Sequence, residues 1–329
     1  MKTLGEFKEF YQCELGGFLY ELEEKRRAIA KSVSRLILVA VVVFVAATAI
    51  ACVISKGFSL GGLIAGAVAA ALVGGIGWAA GVRPRQNVFV YEFKRKIIQA
   101  IVKFIDENLD YNPSKYVASG QFMRSTIFRT TPDRYKGEDY VSGTINGTRL
   151  EFSEIHAEYE TKDSKNRSTY HTIFRGIFLI ADFHKDFNGT TVVLPDVAQK
   201  MLGFIGQTLQ KWNLMRGELI KLEDPEFEKE FVVYGDDQIE ARYILTTSMM
   251  ERLLEFRKKA RKRTDAGGNI YLAFTQGKIF VAIDCHRDLF EPKLFASNDN
   301  FEVLRDYFET MALAIGIVED LKLNPRFKG

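Results

Sequence analysis

The sequence predicts an α+β protein: an N-terminal helix and a two-helix transmembrane hairpin, followed by a cytoplasmic domain with a mainly antiparallel sheet and several helices. Three observations carry that expectation. Residues 36–82 hold one charged residue, Lys56, and basic residues cluster on both sides of that block. Beyond Pro132 the apolar spacing changes from the three-and-four pattern of helices to the alternation of strands.

Whole-chain averages conceal the apolar block. A mean hydropathy of -0.07 with 26% charged residues suits a soluble protein, but it mixes an uncharged stretch with a long polar remainder. Cys13, Cys52 and Cys285 are odd in number and scattered, so neither a disulfide framework nor a CxxC metal site follows. A net charge of +3 is too small to imply nucleic acid.

Residues 1–35 read as an amphipathic helix, because Leu4, Phe7, Tyr11, Leu15, Phe18 and Leu22 share one helical face. That face can pack within the protein, lie on a bilayer or join a partner's helix. Residues 36–55 are uncharged and, at ~1.5 Å per residue, cover the ~30 Å of a hydrocarbon core. After a turn at Ser55, Lys56 and Gly57, residues 58–82 supply a second span. The hairpin thus occupies 36–82. A signal peptide does not fit, since the apolar run starts late and continues into a second span. In that second span Gly62, Gly66, Ala70 and Gly74 form a ridge of small side chains suited to close helix packing, against the first span or in a homo-oligomer. Trp78 fits an interfacial anchor.

Lys25, Arg26, Arg27, Lys31 and Arg35 precede the first span, and Arg83, Arg85, Lys94, Arg95 and Lys96 follow the second. The positive-inside rule then places both termini in the cytoplasm. There the sequons at Asn146, Asn166 and Asn188 stay unmodified and read as turns.

The expected cytoplasmic domain is 83–329. It opens with a linker helix, 88–109, whose apolar face is Ile97, Ile98, Ile101, Val102 and Ile105. Alternation and turn chemistry predict strands at 140–145, 149–159, 170–183 and 191–194 as an antiparallel meander, then a helix over 196–212 and a strand over 230–234. A helix over 247–260, a hairpin of 269–274 with 278–283, and a helix over 299–315 complete the domain. Strands and helices without regular βα alternation point to the α+β class.

Candidate chemistry is sparse. Glu154, His156 and Glu158 alternate on one strand face, a pattern a metal can use, but strand neighbours two apart stand ~7 Å from each other. The plainer reading is the wet face of a half-buried strand. Cys285-His286 gives no triad, because strand neighbours point apart. Glu138-Asp139 and Asp236-Asp237 read as turn or helix-start chemistry. Arg257, Lys258, Lys259, Arg261, Lys262 and Arg263 form the densest charge cluster, read either as dipole pairing at a helix C-terminus or as a contact for anionic lipid. Aromatic residues do not interleave with it, which disfavours nucleic acid. Phosphate-loop, zincin and nucleophile-elbow patterns are absent from the sequence, and no cofactor is called for.

The stretch Leu222 to Leu245 resembles the bacterial membrane proteins grouped as domain-of-unknown-function family 3137, as do Gly137-Glu138-Asp139, Phe152-Ser153-Glu154, Phe174-Arg175-Gly176 and Asp288-Leu289-Phe290-Glu291-Pro292. The resemblance implies two N-terminal spans in the inner membrane, a cytoplasmic globular domain, no established activity, and association with LemA-like membrane proteins. Within Leu222 to Leu245, Phe227, Phe231 and Val233 read as a strand entering a core, with Arg242 able to pair with Asp236 or Asp237. The expected function is a non-catalytic scaffold or interaction module. The alternative is a membrane-bound hydrolase using Glu154, His156 and Asp236.

Overall fold

The computed structural model describes residues 2–58, 60–196, 217–265 and 268–323. The chain divides into two compact units. One comprises Gly5–Ile98 with Glu291–Leu304, the other Gln99–Phe290 with the residues from Arg305 onward.

The first unit is built on two long helices, α1 (Leu4–Ile54) and α2 (Leu60–Ile105), the last turns of α2 belonging to the second unit. Lys56 takes a left-handed conformation (φ 56°), and the Gly57 N–H reaches back to the Cys52 carbonyl at 3.0 Å. This arrangement satisfies the last carbonyls of α1 and turns the chain. Single π-turns interrupt the helices at Tyr11–Leu15, Trp78–Val82 and Lys94–Ile98. Beyond the apolar block the two helices stay paired. Lys25 bridges Glu21 at 2.8 Å and Glu92 at 2.5 Å, and Lys96 bridges Glu21 at 2.5 Å. Leu22, Ile29, Val33, Phe89 and Phe93 are buried along this stalk. Residues 291–304 belong with it: Lys94 pairs with Glu291 at 2.5 Å, the Arg26 guanidinium donates to the Leu294 carbonyl at 2.7 Å, and the Tyr11 hydroxyl donates to Asp299 at 2.9 Å.

Among the described residues the second unit holds a nine-stranded sheet whose paired neighbours all run antiparallel, with helices, in the order β1-β2-β3-β4-β9-β8-β5-β7-β6. The strands are β1 (Leu109–Asn112), β2 (Arg134–Ile145), β3 (Thr148–Lys162), β4 (Ser168–Asp182), β5 (Thr191–Pro195), β6 (Glu218–Ile220), β7 (Phe231–Gly235), β8 (Ile270–Thr275) and β9 (Lys278–Asp284). Short helices α3 (Ser119–Arg124), α4 (Pro225–Glu230) and α5 (Gln238–Ile244) join the longer α6 (Thr247–Arg263) and α7 (Phe301–Ile315) and the terminal turn α8 (Ile317–Asp320). The mixed α+β class therefore holds.

Asn146-Gly147, with both φ angles positive, turns β2 into β3, and Gln276-Gly277 does the same between β8 and β9. These are the two-residue turns whose twist suits a hairpin. Phe122, Ile155, Phe174, Phe178 and Phe280 form the core on one face of the sheet. In the middle of β4 consecutive residues Ile177, Phe178, Leu179 and Ile180 are all buried, so both faces are covered there. A two-sided strand is continuously apolar, which is how this stretch reads.

Several elements differ from expectation. β2 begins at Arg134 rather than Tyr140 and runs through a bulge at Asp139–Tyr140, so Glu138-Asp139 sits within a strand rather than in a turn. Phe227 lies on the short helix α4, capped by Asp224, which accepts from the Glu226 and Phe227 amides, and not on a strand. The helix expected over 196–212 falls, after its first residue, outside the described residues.

Candidate functional site

The apolar surface of the hairpin is the largest chemical feature of the first unit. Helices α1 and α2 are both long and apolar enough to cross a membrane. Ile37, Leu38, Val42, Val45 and Ile50 project outward from α1, and Ile64, Val68, Leu72 and Ile76 from α2; at the turn, Val53 and Ile54 are each 78% exposed. Continuous apolar exposure on this scale marks a membrane or protein contact rather than a water-facing surface. The four ridge residues lie on the inner side of α2. Gly62 and Gly66 are buried, and Ala70 and Gly74 are half-buried. A Cβ at Gly66 would stand 2.2 Å from Thr48 Oγ1 and 2.9 Å from the Phe44 carbonyl, and one at Gly74 would touch Ala40 Cβ at 4.0 Å. Only glycine permits the approach at 66, and the ridge faces α1.

The basic run on α6 is largely engaged within its own domain. Arg257 is 3% exposed, pairs with Glu230 at 3.1 Å, donates to the Glu230 carbonyl and stacks over the Phe231 ring at 4.8 Å. Arg261 binds the same carboxylate at 2.7 Å, Lys258 binds Glu255 at 2.7 Å, Lys259 binds Asp320 at 2.6 Å, and Arg263 binds Glu309. Lys262 is exposed. Burial pushes the Arg257 pKa down, against the pull of Glu230.

The polar cluster is dispersed. Glu154 lies on β3 and Asp236 just after β7, with β4, β9, β8 and β5 between those strands, about 24 Å at ~4.8 Å per strand. Asp236 accepts from the Thr190 amide at 3.1 Å, and Asp237 caps α5 by accepting from the Ile239 and Glu240 amides. Arg242 donates instead to the Lys221 carbonyl at 3.3 Å, so the proposed pairing with Asp236 or Asp237 is not formed. His156 stands 3.8 Å from Glu158 on a partly exposed face. Among the described residues no three His, Cys, Asp or Glu side chains converge as metal ligands. The Cys285 thiol donates to Asp265 at 3.3 Å, and burial pushes its pKa up to about 11. It is therefore a poor nucleophile.

Glu154 corrects the wet-face reading. It is buried, its carboxylate accepts from the Leu289 amide at 3.1 Å, and its pKa is pushed up to about 8. Burial is the main cause; the nearby Asp139, Glu138 and Asp288 charges add to it, while the Leu289 hydrogen bond opposes it. Around it gather segments far apart in sequence. Glu138 on β2 is its register partner, and Asp139, fully buried, accepts from the Tyr111 hydroxyl. Arg175 on β4 pairs with Asp288 at 2.5 Å, and the Arg175 carbonyl accepts from the Cys285 amide at 2.9 Å. Gly137 and Gly176 complete the junction: a Cβ would lie 2.5 Å from the Glu154 carbonyl at the first and 2.1 Å from the Ile283 carbonyl at the second. Four short motifs noted separately in the sequence thus meet at one place, where their polar atoms hold the 285–290 loop to β3 and β4. The signal in the sequence was that each of these motifs carries a Gly or an acid beside apolar residues.

Residues 172–323 match the family described as "Protein of unknown function (DUF3137)". No curated protein matches the chain. A solved structure, the mycobacterial trehalose monomycolate transport factor A, aligns with 67% of this chain and 96% of its own at 11% identity and a TM-score of 0.31.

Proposed function

From the match of residues 172–323 to that family and the exposed apolar surface of the hairpin, we propose that this is a two-pass anchored interaction module of a bacterial inner membrane. In this reading α1 and α2 cross the bilayer as a hairpin, both termini lie in the cytoplasm, and the sheet unit serves as a non-catalytic scaffold for another membrane protein, such as one of LemA-like type. The observation that carries the anchor is the outward row from Ile37 to Ile54 and from Leu60 to Ile76, bounded by charge at Arg35 and Arg83. In water such a surface would associate or precipitate; in lipid it is matched by its surroundings. The scaffold reading is supported by the structural use of the polar candidates. Glu154 holds a loop, Asp237 caps a helix, and Arg257 is packed on Phe231.

Two experiments test the two parts. Alkaline carbonate should leave the full-length chain in the membrane pellet, and release into the supernatant would refute anchoring. A photo-crosslinker at Ile239, which is 80% exposed on α5, should capture a discrete membrane protein in native membranes. Adducts to lipid or to the chain alone would count against the scaffold.

A further inference from the structure

The basic residues that flank the hairpin look equivalent in sequence, but their environments divide them into two groups. Lys25 and Lys96 are tied to Glu21, with Glu92 also on Lys25; Arg26 and Arg27 are tied to Glu23, and Lys94 to Glu291. Lys31, Arg35, Arg83 and Arg85 are exposed and form no ion pair with any described residue. Arg95 is exposed as well, but lies ten residues beyond Arg85, about 15 Å farther out.

The four cations lie within about 12 Å of one point on the hairpin. Leu36 on α1 lies against Gly77 on α2, where an added Cβ would stand 2.3 Å from Leu36 Cδ1. Counting ~1.5 Å per residue from that point, Arg35 and Lys31 lie roughly 2 and 8 Å away along α1, and Arg83 and Arg85 roughly 9 and 12 Å along α2. The outward apolar surface begins just beyond, at Ile37 and Leu38 on one helix and Ile76 on the other. The head-group layer outside a hydrocarbon core is about 5–8 Å thick, and long basic side chains reach several ångströms toward it. At the opposite end of the hairpin the turn offers Lys56 alone.

We propose that Lys31, Arg35, Arg83 and Arg85 form a collar that binds the phosphates of anionic phospholipid head groups. The inference rests on the anchoring read above and names the lipid contact of that anchor. Basic side chains on two adjacent helices suit phosphate, to which each contributes a positive charge and N–H donors. Carboxylates of the protein already hold the neighbouring cations, so lipid phosphate is the complementary charge for these four. The denser run on α6 is a poorer candidate, because Arg257, Lys258, Lys259, Arg261 and Arg263 each have a carboxylate partner.

The test uses the full-length chain in phosphatidylcholine nanodiscs with spin-labelled phosphatidylglycerol or phosphatidylcholine as tracer, read as the motionally restricted lipid fraction. The wild type should prefer phosphatidylglycerol by at least about fivefold at low salt. A variant with Lys31→Gln, Arg35→Gln, Arg83→Gln and Arg85→Gln should lose that preference. A Lys31→Arg, Arg35→Lys, Arg83→Lys, Arg85→Lys variant should keep it, which controls for folding, and a Lys258→Gln, Lys259→Gln, Lys262→Gln variant should keep it too. Preference retained by the first variant, or lost in the last, overturns the collar. A chain that enters nanodiscs without any lipid preference overturns the collar alone; one that remains in water without lipid overturns the anchor itself.

Discussion

At the scale of single residues, Glu154 shows how position on a two-sided sheet changes chemistry. Its side chain alternates correctly for a strand face, but the 285–290 loop covers that face, and the carboxyl is pushed from the ordinary carboxylate range up to about 8. In the window between those values the folded chain holds a proton that the unfolded chain has released. Stability therefore falls as pH rises, by up to about 1.4 kcal/mol per pH unit for one such group. Asp284, also raised by burial, to about 6, adds a slope of the same sign that ends lower. Glu154→Gln keeps an acceptor for the Leu289 amide and removes the charge. Thermal unfolding of the full-length chain should lose its decline between pH 6 and 8 in this variant, and unchanged pH profiles would contradict the assignment. Gly176 makes a second residue-level claim: with φ at 148° and the Ile283 carbonyl in the Cβ position, Gly176→Ala should lower stability by about 2 kcal/mol or more. A melting temperature equal to wild type would show that the junction relaxes freely.

At the scale of elements, the basic end of α6 is as much an internal clamp as a surface. Arg257 joins α6 to Glu230 and to the ring of Phe231, so Arg257→Ala should cost about 3 kcal/mol by leaving a packed site partly empty. Lys262→Ala, at an exposed position, should stay within about 0.5 kcal/mol of wild type. Equal effects in chemical denaturation would remove the distinction. The helix and strand content visible beforehand follows the same physics. Long, strongly patterned elements were readable: the two apolar helices, β3 with its Asn146-Gly147 turn, the β8–β9 hairpin and the Thr246-capped α6. Short ones were not, because β1 and β6 are too brief to show a period, and Phe227 on α4 stands only four residues before Phe231, which opens β7, so the helix-to-strand change leaves no clear pattern. The junction around Glu154 was visible as four separate motifs and not as a place, since strand register brings Glu138 opposite Glu154 and the loop after β9 brings Asp288 to Arg175.

At the scale of the whole molecule, the proposed role divides between two compact units. The hairpin unit carries the exposed apolar surface and the proposed collar; in the sheet unit Glu154 accepts from the Leu289 amide, Asp237 caps a helix and Arg257 pairs with Glu230. Paired glycine and threonine at Gly66 and Thr48 let the two spans approach closely, and close packing holds helices together where lipid offers no hydrophobic force between them. The central claim is that these helices cross a bilayer as a hairpin, and impermeant maleimide labelling of single-cysteine chains measures it directly. With Cys13, Cys52 and Cys285 replaced, Lys56→Cys should react in intact spheroplasts, whereas Ser114→Cys should react only after the membrane is opened. Labelling of both positions from the same side would contradict the account.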